Sequence, residues 1–259
     1  MAYEVLCAIE NRIATVTLNR PEKRNALNTV VLRGLHATFD QLDKNPDVRV
    51  VVVRGEGRAF CSGMDLGEMA ERQAQHADPE ADVTRVFQAI ERSRHPSIAM
   101  VNGDAYAGGC ELALHCDLRV VAESARFAMP LAKIGLIVPF VLGQKMVEIV
   151  GPAFAREMLF TGRPVSAARA YEVGMVHKVV PLGELERATY DLAGAIADNA
   201  PTSLTGMKQV LLRAVSARER IDHADLDELA RAARKGPDAT EGVRAMLEKR
   251  KPNFPGTGA

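Results

Sequence analysis

An α/β fold with an all-helical C-terminal quarter is what this sequence predicts, and three observations carry the prediction. β-branched runs such as "VRVVVV", "SIAMVNG" and "DLRVVA" alternate with segments of helical period up to about residue 180. Glycine-bearing loops, "VRGEGRAFCSGMDL" and "NGDAYAGGCEL", follow the two most buried of those runs, and α/β proteins place ligands at the carboxyl ends of buried strands. Beyond that point "GELERATYDLAGAIADNA", "PTSLTGMKQVLLRAV", "DHADLDELARAARK" and "DATEGVRAMLEKR" read as four consecutive helices divided by Pro or Gly signals. The expected organisation is a core over residues 1–182 and a helical region over residues 183–259.

Each element has a local reason. "YEVLCAIE" and "RIATVTL" are β-rich runs split by Asn11, which tolerates a left-handed turn, so a hairpin is expected. Asn28 is an N-cap candidate, and Val31, Leu35, Phe39 and Leu42 then recur at the period of one helix face. Val83, Phe87 and Ile90 mark a helix before the strand "SIAMV". The most apolar window, residues 134–143, contains Pro139 and is about half the length of a membrane span, so it reads as core or pocket wall.

Lys plus Arg equals Asp plus Glu at 33 each, which removes any general attraction to nucleic acid or an anionic membrane. A small-molecule or protein partner is expected. The four cysteines, Cys7, Cys61, Cys110 and Cys116, lie in apolar or glycine-rich surroundings, and "MAYEVLCAIEN" has neither a basic leader nor a long apolar segment. Both features point to a cytoplasmic protein with reduced thiols.

The chemistry-bearing positions cluster at the two glycine loops. Glycine lets main-chain N–H groups approach a ligand, and two such loops are able to aim two N–H groups at one oxygen. At Gly108 and Gly109 the chain is expected to turn into a helix whose unpaired amides form a positive end; tight turning alone is the competing explanation. Glu111 falls in the first turn, where the helix dipole favours its ionised form, either as a reacting group or as a simple cap. Asp117 and Arg119 flank the next strand and are expected to pair structurally.

Other constellations are set aside. Cys110, His115 and Cys116 lack a metal-ligand spacing, so no metal is expected. No base lies near Cys61 in the sequence, "FCSG" is not a nucleophile elbow, and "GEGRAF" lacks the third glycine and following helix of a dinucleotide fingerprint. The basic run "RPEKRNAL", with Arg20, Lys23 and Arg24, reads equally as a phosphate contact or a solvated turn.

"NRPEKRNALN", "GRAFCSGMDL", "NGDAYAGGCELALHCDL", "ARFAMPLAKIGL", "LFTGRPVSAARAYEVGMVHKVV" and "MLEKRKPNF", in this order and spacing, resemble the enoyl-CoA hydratase/isomerase (crotonase) family over nearly the whole chain. The resemblance implies a crotonase-like spiral of ββα units with a C-terminal helical region used in trimer contacts, giving a homotrimer or a hexamer built as a dimer of trimers. It implies a coenzyme A thioester as substrate, with no separate cofactor. By position, the oxyanion donors fall on the N–H groups of Met64 and Gly108. Ser62, Asp65 and Leu66 fall along the adenine and pantetheine path, while Arg24 and Ala26 match the phosphate-side segment.

Glu111 matches the first of two glutamates that hydratases of the family use to hold and activate water; the second position is Leu131. Leucine neither donates nor accepts a proton, and a single acid or base contributes about a hundredfold to ten-thousandfold. Three readings follow: a hydratase with an incomplete glutamate pair, an isomerase using Glu111 as its sole base, and a non-catalytic acyl-CoA binding protein. Retention of both loops and Glu111 favours chemistry over mere binding, with the hydratase placed first and the isomerase as runner-up. The pocket wall is expected from Leu131, Ile137, Phe140 and the helix around residues 83–90.

Overall fold

In the computed structural model, residues 3–74, 79–215 and 221–254 are described. The chain opens with the antiparallel hairpin of β1 (Val5–Glu10) and β2 (Ile13–Leu18). Asn11 and Arg12 both take positive φ, 50° and 67°, the two-residue turn that matches strand twist. Helix α1 (Thr29–Asp43) starts where the Asn28 side chain accepts from the Val31 amide at 2.8 Å, and its inward stripe buries Val31, Leu35, Phe39 and Leu42. The apolar run then forms β3 (Val50–Gly55), buried except at Arg54.

α2 (Leu66–Ala74) and α3 (Pro79–Arg92) lead to β4 (Ser97–Val101), β5 (Ala105–Tyr106) and α4 (Gly108–His115). β6 (Leu118–Ala122), β7 (Arg126–Ala128), α5 (Phe140–Thr161), β8 (Val165–Ser166), α6 (Ala167–Glu172) and β9 (Lys178–Val180) complete the strand-bearing region. Four helices follow, α7 (Leu185–Ala197), α8 (Pro201–Val215), α9 (Ala224–Lys235) and α10 (Pro237–Leu247).

Among the described residues the strands form two sheets. The larger has the order β1-β2-β3-β4-β6-β9 and is parallel apart from the hairpin; the smaller is β5-β7-β8. After β4 and again after β6, the chain steps from the large sheet to the small one. That repeated step turns the chain into a spiral, and its inner corner holds the glycine loops. α7 lies across β2, β3, β4 and β6, with Tyr190 Oη 2.7 Å from Thr15 Oγ1. α10 packs instead on α2 and on the 3-10 turn Pro130–Ile134.

Two departures from the sequence reading have local causes. α5 has no clean apolar stripe to announce it, and it is broken at Gly151, whose φ of 71° precedes Pro152. Asp117 and Arg119 do not pair through their side chains. The Asp117 carboxylate accepts from Lys208 Nζ at 2.7 Å and from the Ser97 amide at 2.7 Å. Buried Arg119 donates to the carbonyls of Cys116 and Met175, both at 2.7 Å, and of Ala113 at 3.2 Å. The end of α4 leaves orphan carbonyls at a negative helix terminus, and the guanidinium satisfies them. Among the described residues, no helix is long and apolar enough to cross a membrane.

Replacing Arg119 by Met strips those carbonyls of their donor inside the core. The variant is expected to lose about 2–4 kcal/mol, read as a lower urea midpoint; an unchanged midpoint refutes this account of α4.

Candidate active site

Three stretches that are distant in sequence are stitched side by side by main-chain bonds. Ser62 N donates to Arg24 O at 3.0 Å, Leu27 N to Gly63 O at 2.8 Å, and Asp65 N to Leu27 O at 2.9 Å. On the other side Cys61 N donates to Asp104 O at 3.2 Å and Tyr106 N to Cys61 O at 3.0 Å. Leu27 and Met64 thus face each other as a parallel bridge, with the bonds passing through Gly63 and Asp65. In that pattern the Met64 amide points away from Leu27, and no protein acceptor meets it among the described residues.

The second amide comes from the start of α4. Ala107, its N-cap, has φ 48° and ψ −118°, a backbone conformation that costs a non-glycine residue on the order of 1–3 kcal/mol. Gly108 N is left without a protein acceptor among the described residues. The two amides are neighbours: a methyl group on Gly63 would lie 3.3 Å from Gly108 N, and one on Gly108 would lie 3.7 Å from Met64 N. Gly109 permits this approach, since a methyl there would sit 2.1 Å from Cys61 O. Met64 and Gly108 line one cavity of about 580 Å³.

Glu111 lines the same cavity and is 1% exposed, with neither carboxyl oxygen hydrogen-bonded among the described residues. Burial pushes its pKa well above the ordinary 4.5, and the charge of Lys145 opposes this only in part. The expectation of an ionised Glu111 is therefore corrected: the helix dipole is worth at most about 2 kcal/mol, less than the cost of removing a carboxylate from water. His115, one turn on, has Nδ1 2.8 Å from Glu111 O and 3.7 Å from its Oε2. Burial lowers its pKa to about 4, so the contact joins two uncharged groups rather than an ion pair.

The remaining sequence-derived positions reach this cavity too. Arg24, Ala26, Ser62, Asp65, Leu66 and Leu131 all line it, with Lys23 and Arg24 exposed at its rim. Arg20 does not join them. It is held by Glu4 at 3.3 Å and Asp65 at 3.1 Å and donates to Ala26 O at 2.7 Å. Asp65 also accepts from Gly67 N at 3.1 Å at the start of α2, so its carboxylate shapes the loop.

One wall of the cavity is apolar. Phe87, Leu131, Ile134, Leu136 and Leu142 line it, whereas Ile137 is exposed and Phe140 stacks on His223 with ring centres 4.4 Å apart. Arg234 of α9 and Met246 and Leu247 of α10 also line the cavity; sequence reasoning missed all three, because their segments lie more than a hundred residues from the glycine loops. Cys61 and Cys116 are buried thiols with pKa pushed up to about 12. Among the described residues, no cluster of three His, Cys, Asp or Glu side chains is placed to hold a metal.

Two converging free amides are able to hold a carbonyl oxygen that gains negative charge, and a neutral carboxyl is able to give one proton and accept another. The family model for enoyl-CoA hydratase/isomerase matches residues 8–257. The chain belongs to that family. A crotonyl-CoA hydratase of Syntrophomonas wolfei is 34% identical, over 98% of this chain and 99% of its own length. A 2,3-dehydroadipyl-CoA hydratase of Escherichia coli is 33% identical, over 98% and 99%. Among solved structures, methylmalonyl-CoA decarboxylase superposes with a TM-score of 0.88 at 28% identity, over 99% of this chain and 100% of that one. The architecture is the crotonase fold, and its members act on thioesters by more than one reaction.

Glu111 has a measurable effect on stability. Its proton is held more tightly in the native state than in the unfolded chain, where its pKa is near 4.5. Native protein therefore binds the extra proton above that pH, and its stability falls as pH rises toward the folded-state pKa. Glu111→Gln lacks this dependence. The stability advantage of the variant over the parent should grow as pH rises above 4.5, by up to about 1.4 kcal/mol per pH unit; a constant difference would mean that the fold does not hold the Glu111 proton more tightly than the unfolded chain does.

Proposed function

We propose that the protein is an enoyl-CoA hydratase whose single carboxyl, Glu111, does the work of a pair. The thioester oxygen lies between the amides of Met64 and Gly108, which stabilise the negative charge it gains as water attacks Cβ. One Glu111 oxygen accepts a proton from that water while the other delivers the carboxyl proton to Cα. The C–O and C–H bonds form, the double bond is consumed, and Glu111 ends neutral as it began. As drawn, the step needs only the chain, the thioester and water, so no cofactor or metal enters it.

The observation that carries this reading is a buried carboxyl with both oxygens free, in the cavity lined by two unpaired amides. It explains how Leu131 is tolerated: a neutral acid is donor and acceptor at once, and an apolar neighbour keeps it neutral. The same argument weighs against an isomerase, which must begin with a carboxylate base at the α or γ carbon. A second reading, decarboxylation of a carboxylated acyl-CoA, is supported by the likeness to methylmalonyl-CoA decarboxylase. Loss of CO2 leaves an enolate on the same two amides, and Glu111 protonates Cα.

We further infer a homotrimer or dimer of trimers acting in the cytoplasm. Met207, Val210 and Leu211 form an apolar stripe on the outer face of α8, exposed by 62%, 68% and 68%, which suits burial against another copy.

Crotonyl-CoA should lose its conjugated-thioester absorbance on incubation with the protein, and 3-hydroxybutyryl-CoA should accumulate. Glu111→Gln should lower kcat by about 10²–10⁴ while thioester affinity changes little. Turnover that survives in the variant removes Glu111 from the mechanism. Inert crotonyl-CoA together with propionyl-CoA formed from methylmalonyl-CoA selects decarboxylation instead.

A further inference from the structure

Hydration leaves a buried polar group beside Glu111 without a task. His115 is 1% exposed and stands behind the cavity wall rather than in it. Its Nδ1 lies 2.8 Å from the main-chain oxygen of Glu111. A carbonyl only accepts, so Nδ1 carries the ring proton; the ring is neutral, its pKa lowered by burial to about 4, and Nε2 is bare. Nε2 meets no hydrogen-bond partner among the described residues. A buried orphan acceptor is a cost that leucine would not carry at this position, and packing alone does not explain it.

The ring is held from two sides. Phe87, which itself lines the cavity, packs on it with ring centres 5.4 Å apart. The bond to the Glu111 carbonyl ties it to the residue that bears the carboxyl. Held in this way, Nδ1 lies 3.7 Å from Glu111 Oε2. That separation is longer than a hydrogen bond, and catalytic contacts of this kind tighten when the reacting complex forms. The other charged groups that face these two residues are committed elsewhere. Glu91 of α3 and Lys145 of α5 bind one another, Lys145 also binds Glu148, and Arg119 of β6 is spent on main-chain carbonyls. Burial keeps the neighbouring Cys110 thiol un-ionised. Among the described residues, no hydrogen bond from any of them reaches the Glu111 carboxyl.

On the reading of Glu111 as the proton-transfer group, we propose that His115 is a positioning residue: its Nδ1–H orients the carboxyl through Oε2 and stabilises the negative charge gained there as the proton leaves for Cα. No proton passes to or from the ring. A donor beside the ionised form opposes the burial that disfavours it, so the carboxyl is able to release its proton as well as hold it.

Two substitutions test this: His115→Leu removes the donor, and His115→Asn keeps an N–H near the place of Nδ1. The protonated carboxyl has its own infrared C=O band, isolated as the difference between parent and Glu111→Gln. His115→Leu should move that band to higher frequency, and His115→Asn should return it toward the parent position. With crotonyl-CoA, His115→Leu should lower kcat about 10-fold and leave KM within about 3-fold of the parent, and His115→Asn should recover most of the loss. The wild-type protein tests the tautomer without any substitution: nitrogen-15 resonances of the His115 ring at neutral pH should show the proton on Nδ1. A proton on Nε2 overturns the proposal, as does a parent protein without a protonated-carboxyl band, a band that His115→Leu leaves in place, or a kcat indifferent to loss of the donor. A band that moves as expected in a protein that hydrates no enoyl thioester supports the placement of His115 and defeats the hydratase reading alone.

Discussion

The structure depends on one close approach of main chain to main chain, between the loop from Cys61 to Met64 and the start of α4. No side chain fits there. The parallel bridges on either side of Cys61–Met64 spend the neighbouring amides on structure, and Ala107 is forced into an unfavourable backbone angle to bring Gly108 round. The cost is met by the large parallel sheet beneath, whose β3 and β4 are fully paired and almost wholly buried. Two amides denied their usual partners are the product of that arrangement.

The state of Glu111 follows from what surrounds those amides. A helix start draws negative charge toward it, but the apolar wall from Phe87, Leu131 and Leu142 removes the water that an ionised carboxyl needs. The cation that opposes this, Lys145, is itself bound by Glu91 at 2.6 Å and Glu148 at 2.8 Å, so its pull on Glu111 is shared. Dielectric decides over dipole. In this setting Leu131 acts as a determinant of protonation as well as a missing acid.

Much of this was readable in the residues, and the boundary of legibility is physical. The hairpin turn at Asn11, the Asn28 cap and the glycine loops are local devices, and each has the predicted geometry. The positions that line the cavity near the loops, from Arg24 to Leu131, were placed by the resemblance of whole motifs to the family, and all of them line it. Protonation of Glu111 was misread because it is set by residues from α3, α5 and the turn at Pro130, none of them adjacent in sequence. Ile137 and Phe140 were misassigned for a different reason: a continuous apolar run does not say which members point inward, and α5 begins at Phe140 and turns that ring toward His223. Arg234 sits in a helix whose remaining charges are solvent-facing, so its periodicity gave no sign of a cavity.

The cavity wall is assembled from opposite parts of the polypeptide. Met246 and Leu247 come from α10, while the amides and Glu111 come from residues 64–111. Glu241, in the same helix, draws Arg250 and the Asn253 amide against it at 2.5 Å and 2.8 Å, which clamps the tail that follows. During synthesis on the ribosome the sheet and its glycine loops emerge well before this helix. A nascent chain can thus complete its scaffold while the cavity still stands open to water, and the cavity gains its last wall only with the docking of α10.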